Sequence, residues 1–252
     1  MAREGSFQST SLALRPPQDD RGSQRAAYAA ALAAAIGAAA LGDALDFDDP
    51  PGIDRRIRDL AQRRSLDNIR TALKPLFPVG LPGGYITIAY ATARWMHRRH
   101  RHGSRAIITS AWLGWLVHRA VKLGYFRERP PRRGSRRRTD SYPSGHTTGA
   151  TALAVSTALV LRRTGLMSRG RASALAVGGP AFMGAYRVIA DDHWTTDVVG
   201  GWLLGTAIGL ACYAALGETS RRAPRVVRPN RATTAAKTES RSTRSRLRAR
   251  QA

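Results

Sequence analysis

Six stretches of the chain, 26–42, 76–93, 106–121, 147–161, 172–185 and 198–216, carry almost no charge and are separated by segments crowded with arginine. A bilayer is crossed by a helix of roughly 17 to 25 residues, and these stretches lie near or just below that length. Backbone N–H and C=O groups that leave water without partners are costly, so repeated apolar runs of this kind are satisfied best as helices. The pattern predicts an all-α fold, a six-helix integral membrane bundle. The stretch at 26–42 is rich in alanine, which contributes little to insertion, and could also serve as a signal peptide.

Around these stretches the chain divides into three parts. Residues 1–25 are polar and without apolar period and are expected to be disordered, residues 26–216 form the membrane domain, and residues 217–252 form a basic tail. Between the first two stretches, 43–75 holds seven acidic and seven basic residues and Pro50-Pro51, and reads as a loop. Among 252 residues there is a single cysteine, Cys212, and no cysteine–histidine zinc spacing, which excludes an internal disulfide and a zinc-built fold. With six crossings both ends share one side. Lys and Arg number 24 on that side and 16 on the other, so both termini are expected in the cytoplasm. The formal net charge of +24 calls for an anionic partner. The tail has no aromatic residue on which a base could stack, so anionic lipid is its expected partner and nucleic acid is not.

Three short stretches place cations and imidazoles where an apolar run ends. They are Lys122 to Pro130, Tyr142 to His146, and Tyr186 to Asp197. Under the expected topology all three face the outer side and can converge on one pocket. Lys122, Arg129 and Arg187 would supply positive charge, and Ser144 and Gly145 would open a helix whose free N–H groups bind an anion. Such a cradle suits a phosphoryl group. Lys122 is one of only three lysines in the chain. His193 and Asp197 lie four apart, so the carboxylate can orient the imidazole as a nucleophile, while His146 can protonate the leaving oxygen and later activate water.

The words Lys-x6-Arg-Pro (122–130), Pro-Ser-Gly-His (143–146) and Arg-x5-His-x3-Asp (187–197) resemble the type 2 phosphatidic acid phosphatase superfamily, which includes membrane lipid phosphatases, class A acid phosphatases and vanadium haloperoxidases. The resemblance implies a phosphohistidine at His193 oriented by Asp197, with His146 as acid and base. It also implies phosphate binding by Lys122, Arg129, Ser144, Gly145 and Arg187, and no metal or other cofactor. Tyr186 stands where that family usually has Ser.

The expected activity is hydrolysis of a lipid phosphate or diphosphate monoester at the outer face of the cell membrane. Two readings compete with it: a soluble exported acid phosphatase with the same site, and a catalytically silent membrane protein that binds anionic lipid. Asp191, Asp192, His193 and Asp197 could instead hold Mg²⁺ or Mn²⁺. His97, His100, His102 and His118 read as structural. Arg132, Arg133, Arg136, Arg137 and Arg138 read as a solvated loop or as a device steering anions inward.

Overall fold

The computed structural model describes residues 20–63, 66–97, 100–131 and 139–216, which contain nine α-helices, one short 3-10 helix and no strand. The chain divides into two units, Met1–Thr219 and Ser220–Ala252, and the second, like the stretches 1–19 and 132–138, lies outside the described residues. The expectations for the basic tail, and for the arginines at 132–138, therefore fall outside the structure.

The all-helical expectation holds. Six helices of 15 residues or more coincide with the six apolar stretches: α1 (Asp20–Asp43), α5 (Pro82–Met96), α6 (Arg101–Val121), α7 (Gly145–Arg163), α8 (Arg169–Ile189) and α9 (Thr195–Leu216). By length and apolar composition alone, two of them, α1 and α9, qualify to cross a membrane among the described residues. The remaining three are short: α2 (Gly52–Ala61), α3 (Asp67–Leu73) and α4 (Phe77–Gly80).

Three boundaries differ from the sequence reading. Helix α1 begins at Asp20, ahead of the apolar run, and the amide of Gln24 donates to the Ala214 carbonyl of α9 at 2.8 Å. A polar residue there extends the helix because α9 offers its side chain a partner. The apparent loop 43–75 contains α2 and α3, whose charged residues hid their helical character because those charges are spent on tertiary contacts. The second apolar stretch is broken rather than continuous, with Leu81 extended and Pro82 opening α5.

Helix α7 lies at the centre, buried along most of its length. Its hydroxyls bond back along the helix, Thr148 to the Ser144 carbonyl at 2.9 Å and Thr151 to that of Thr147 at 2.7 Å. Tyr85, Ala89 and Met96 of α5 pack with Ile107 and Ala111 of α6 and with Leu153 and Val160 of α7. Helix α9 meets α7 through Gly201, Gly205 and Gly209, one turn apart. A Cβ at Gly205 would stand 2.6 Å from the Thr148 carbonyl oxygen, and one at Gly209 would stand 2.9 Å from that of Ala152. The two backbones therefore touch, the close approach that small residues permit. Outward, Leu32, Ile36, Trp95, Leu116, Val177 and Phe182 are exposed, while Ser110, Thr148, Thr151 and Ser156 are buried. Hydroxyls inside and apolar groups outside suit a surrounding of lipid.

Candidate active site

The junction of α4 and α5, the C-terminal end of α6 with the loop that follows it, the N-terminal end of α7 and the loop before α9 surround a cavity of about 150 Å³, lined by Gly80, Pro82, His118, Arg119, Lys122, Arg129, Asp140, Gly145, His146 and His193. Fragments more than seventy positions apart in the chain, Lys122 and His193 among them, thus line one space. Room exists for a phosphoryl group and a water molecule but not for acyl chains.

Each expected residue has a definite place. Lys122, where α6 ends, donates from Nζ to the Asp140 carbonyl and stands 4.0 Å from the Asp140 carboxylate. Arg129 bonds the same carboxylate, Nε to Oδ1 at 3.0 Å, and donates from Nη1 to the Asp192 carbonyl at 3.2 Å. Asp140 therefore sits between two of the cations expected to receive phosphate. Arg187 is buried outside the cavity lining, paired with Asp192 at 2.9 Å and stacked over Phe77 with 5.2 Å from its guanidinium carbon to the ring centre. Ser144 is the residue before the first turn of α7. It is fully buried outside the cavity lining, where its Oγ accepts from Thr147 at 2.9 Å and its N–H donates to the Asp197 carbonyl at 3.0 Å. Gly145 lies on the wall, and a Cβ there would stand 2.6 Å from Nε2 of His118.

The two imidazoles line the same cavity. His146 packs its ring 5.3 Å from that of Phe77, and its Nε2 is buried with no hydrogen-bond partner among the described residues. His193 Nδ1 stands 3.5 Å from Asp197 Oδ2, an ion-pair distance that falls short of a hydrogen bond. Burial pushes His193 well below its ordinary value, and Arg129, Lys122 and Arg187 push it further, with Asp140 opposing them. The ring is therefore neutral at pH 7, the form a nitrogen nucleophile requires.

Asp197 is fully buried. Its Oδ2 accepts from the Trp194 N–H at 2.8 Å and from the Ser141 hydroxyl, and its Oδ1 takes Arg127 Nη1 at 2.7 Å. Trp194 in turn donates from its indole to the Glu128 carbonyl at 2.9 Å, joining the loop before α9 to the loop after α6.

The carboxylates considered for a divalent metal are each engaged with an arginine: Asp191 with Arg58 at 2.7 Å, Asp192 with Arg187 and Asp197 with Arg127. No group of three or more His, Cys, Asp or Glu side chains converges as a metal set among the described residues. His118, read from sequence as structural, lines the cavity, with Nδ1 2.9 Å from the Gly114 carbonyl.

Sequence reasoning missed Arg127, Asp54, Asp140 and Ser141. Arg127 lies within the Lys122 to Pro130 motif and Asp140 just ahead of the Tyr142 to His146 stretch, so both could have been found by their proximity. Nothing local marks Asp54, which belongs to α2.

Residues 107–221 match the family model described as the PAP2 superfamily. The fold is similar to the crystal structure of a transmembrane PAP2 type phosphatidylglycerolphosphate phosphatase from Bacillus subtilis, with a TM-score of 0.62 and 18% identity over 76% of this chain and 98% of that one. A second structure, LpxE from Aquifex aeolicus, aligns with a TM-score of 0.47 and 20% identity over 63% of this chain and 91% of that one. No curated protein matches the chain. The region 107–221 that matches this family model contains all three motifs.

Proposed function

We propose that the chain is a multi-pass membrane phosphatase that removes a phosphoryl group from a lipid phosphate or diphosphate at the outer leaflet, with both termini in the cytoplasm. The observation that carries this reading is the shared cavity, in which His193 and His146 stand with Lys122 and Arg129 at the ends of apolar helices. The substrate phosphate replaces Asp140 between Lys122 and Arg129, and Arg187, buried outside the lining, adds positive charge at longer range. His193 Nε2 attacks phosphorus, the bond from phosphorus to the lipid oxygen breaks, and protonated His146 gives that oxygen its proton. Positive charge left on the His193 ring is balanced by Asp197. His146, now neutral, takes a proton from water, the water oxygen attacks phosphorus, and the P–N bond breaks to release phosphate and restore His193.

Phosphatidylglycerolphosphate, on which the Bacillus subtilis protein of similar fold acts by its name, is one substrate to test, with phosphatidate and a polyprenyl diphosphate beside it. Assay of the detergent-purified chain against these three with EDTA present is expected to show phosphate release, and His193→Ala is expected to abolish it. Strict dependence on Mg²⁺ would overturn the histidine route. A protein that binds anionic lipid without turnover would release no phosphate from any of them.

A further inference from the structure

Beside the cavity, and outside its lining, three fully buried charges form a chain: Asp54, Arg127 and Asp197. Arg127 spends one guanidinium nitrogen on Asp197 Oδ1 at 2.7 Å and the other on Asp54 Oδ2 at 2.7 Å. Asp54 is itself fixed to the start of α9, accepting the Thr196 N–H at 2.9 Å and the Thr196 hydroxyl at 2.6 Å. Arg127 is thus unavailable to substrate phosphate, although it lies between Lys122 and Arg129 in sequence. Taking an arginine fully out of water is costly, and a buried ion group is weak support for stability in itself. Its placement against the carboxylate that faces His193 needs an account.

We propose that Arg127 and Asp54 are positioning residues which together set the orientation and the net charge of Asp197 against His193. This inference rests on the phosphatase reading above. Arg127 holds Oδ1, so the carboxylate cannot turn Oδ2 away from the His193 ring. An arginine alone would also neutralise Asp197 and weaken its hold on the positive charge that appears when His193 takes the phosphoryl group. Asp54 supplies a second negative charge, so the group of three carries one net negative charge and the phosphorylated ring meets a matched counter-charge. Asp54 comes from α2, ahead of the region that matches the family model, and so the N-terminal part of the chain completes the site.

The test uses the full chain in detergent with dioctanoyl phosphatidate as substrate and orthovanadate as a phosphate mimic. Arg127→Gln and Asp54→Asn are each expected to lower kcat on the order of 30- to 100-fold while KM and vanadate affinity stay within about threefold, because the cradle of Lys122, Arg129 and Arg187 is untouched. Vanadate stoichiometry is expected to remain near one per chain, which a partly unfolded preparation would not give. The double variant is expected to be no slower than the slower single, since the two act as a unit. Arg127→Lys is expected to recover part of the lost rate.

Turnover by wild type with near-normal kcat in Arg127→Gln overturns the inference and leaves the phosphatase reading intact. Loss of vanadate stoichiometry in both single variants and in Arg127→Lys overturns it in favour of scaffolding. Additive losses in the double variant overturn the paired action. No turnover by wild type on any lipid phosphate overturns the reading and the inference together.

Discussion

At Gly145 the chain has no room for a side chain, because a Cβ would stand 2.6 Å from Nε2 of His118 on the cavity wall. Gly145→Ala is expected to displace the His118 ring and the first turn of α7 that carries His146. Reduced kcat/KM, on the order of tenfold, in steady-state assays would show it. His193 carries a second consequence at this scale. Its folded-state value is lowered and the ordinary value is 6.5, so below that pH the unfolded chain binds a proton that the folded chain refuses. Stability contributed by the neutral ring is therefore complete above about pH 6.5 and is lost as pH falls toward the lowered value. Thermal melts in detergent from pH 7.5 to 4.5 are expected to show Tm falling with acid, with a shallower fall in His193→Asn. His193, His146, Lys122 and Arg129 were legible in sequence because short motifs bring their own context. Asp54 was not, since its partners, Arg127 and Thr196, are far away in the chain and only folding brings them together.

Helices α2 and α3 act on the site from a distance. Arg58 of α2 forms a bidentate pair with Asp191, at 2.7 and 3.0 Å, and Arg70 of α3 donates to the Ile189 carbonyl at 2.9 Å. Asp191 has φ of +58°, a left-handed conformation that a residue with a Cβ adopts at some cost, and Arg58 holds it there two positions before His193. Arg58→Ala is expected to loosen this turn and lower kcat several-fold, with α1 and α5 to α9 keeping their helix content by circular dichroism. Apolar periodicity revealed the long helices because their environment is uniform. It could not reveal α2 and α3, whose charges satisfy specific partners and so imitate the composition of a loop. The same blindness placed the start of α1 too late, since Gln24 is polar and yet bonded into the bundle.

Across the described residues, an apolar exterior and a hydroxyl-bearing interior make orientation measurable. Leu123, beside Lys122, is largely exposed, and Cys212 is buried. In a Cys212→Ser background, Leu123→Cys is expected to react with a membrane-impermeant maleimide added outside intact cells, and the chain to stay in the pellet on carbonate extraction. Labelling only after lysis would reverse the assigned sidedness, and release by carbonate would favour a soluble protein. Fold class was readable from the whole chain, whereas sidedness rests on a charge difference of 24 against 16 that the tail largely makes.

The glycine row between α7 and α9 bears on how a substrate can come and go. Gly201, Gly205 and Gly209 bring main chain against main chain over successive turns, so His146 at the start of α7 and His193 just ahead of α9 are held at a fixed spacing. Sliding one helix past the other would drive Cβ atoms and carbonyls of α7 into bare backbone. Gly80, which with Pro82 flanks the interruption between α4 and α5, packs against His146 itself, and a Cβ there would stand 2.6 Å from the imidazole. Under the proposed activity, substrate and product pass a wall that touches His146, so any movement at that interruption would shift this ring relative to His193.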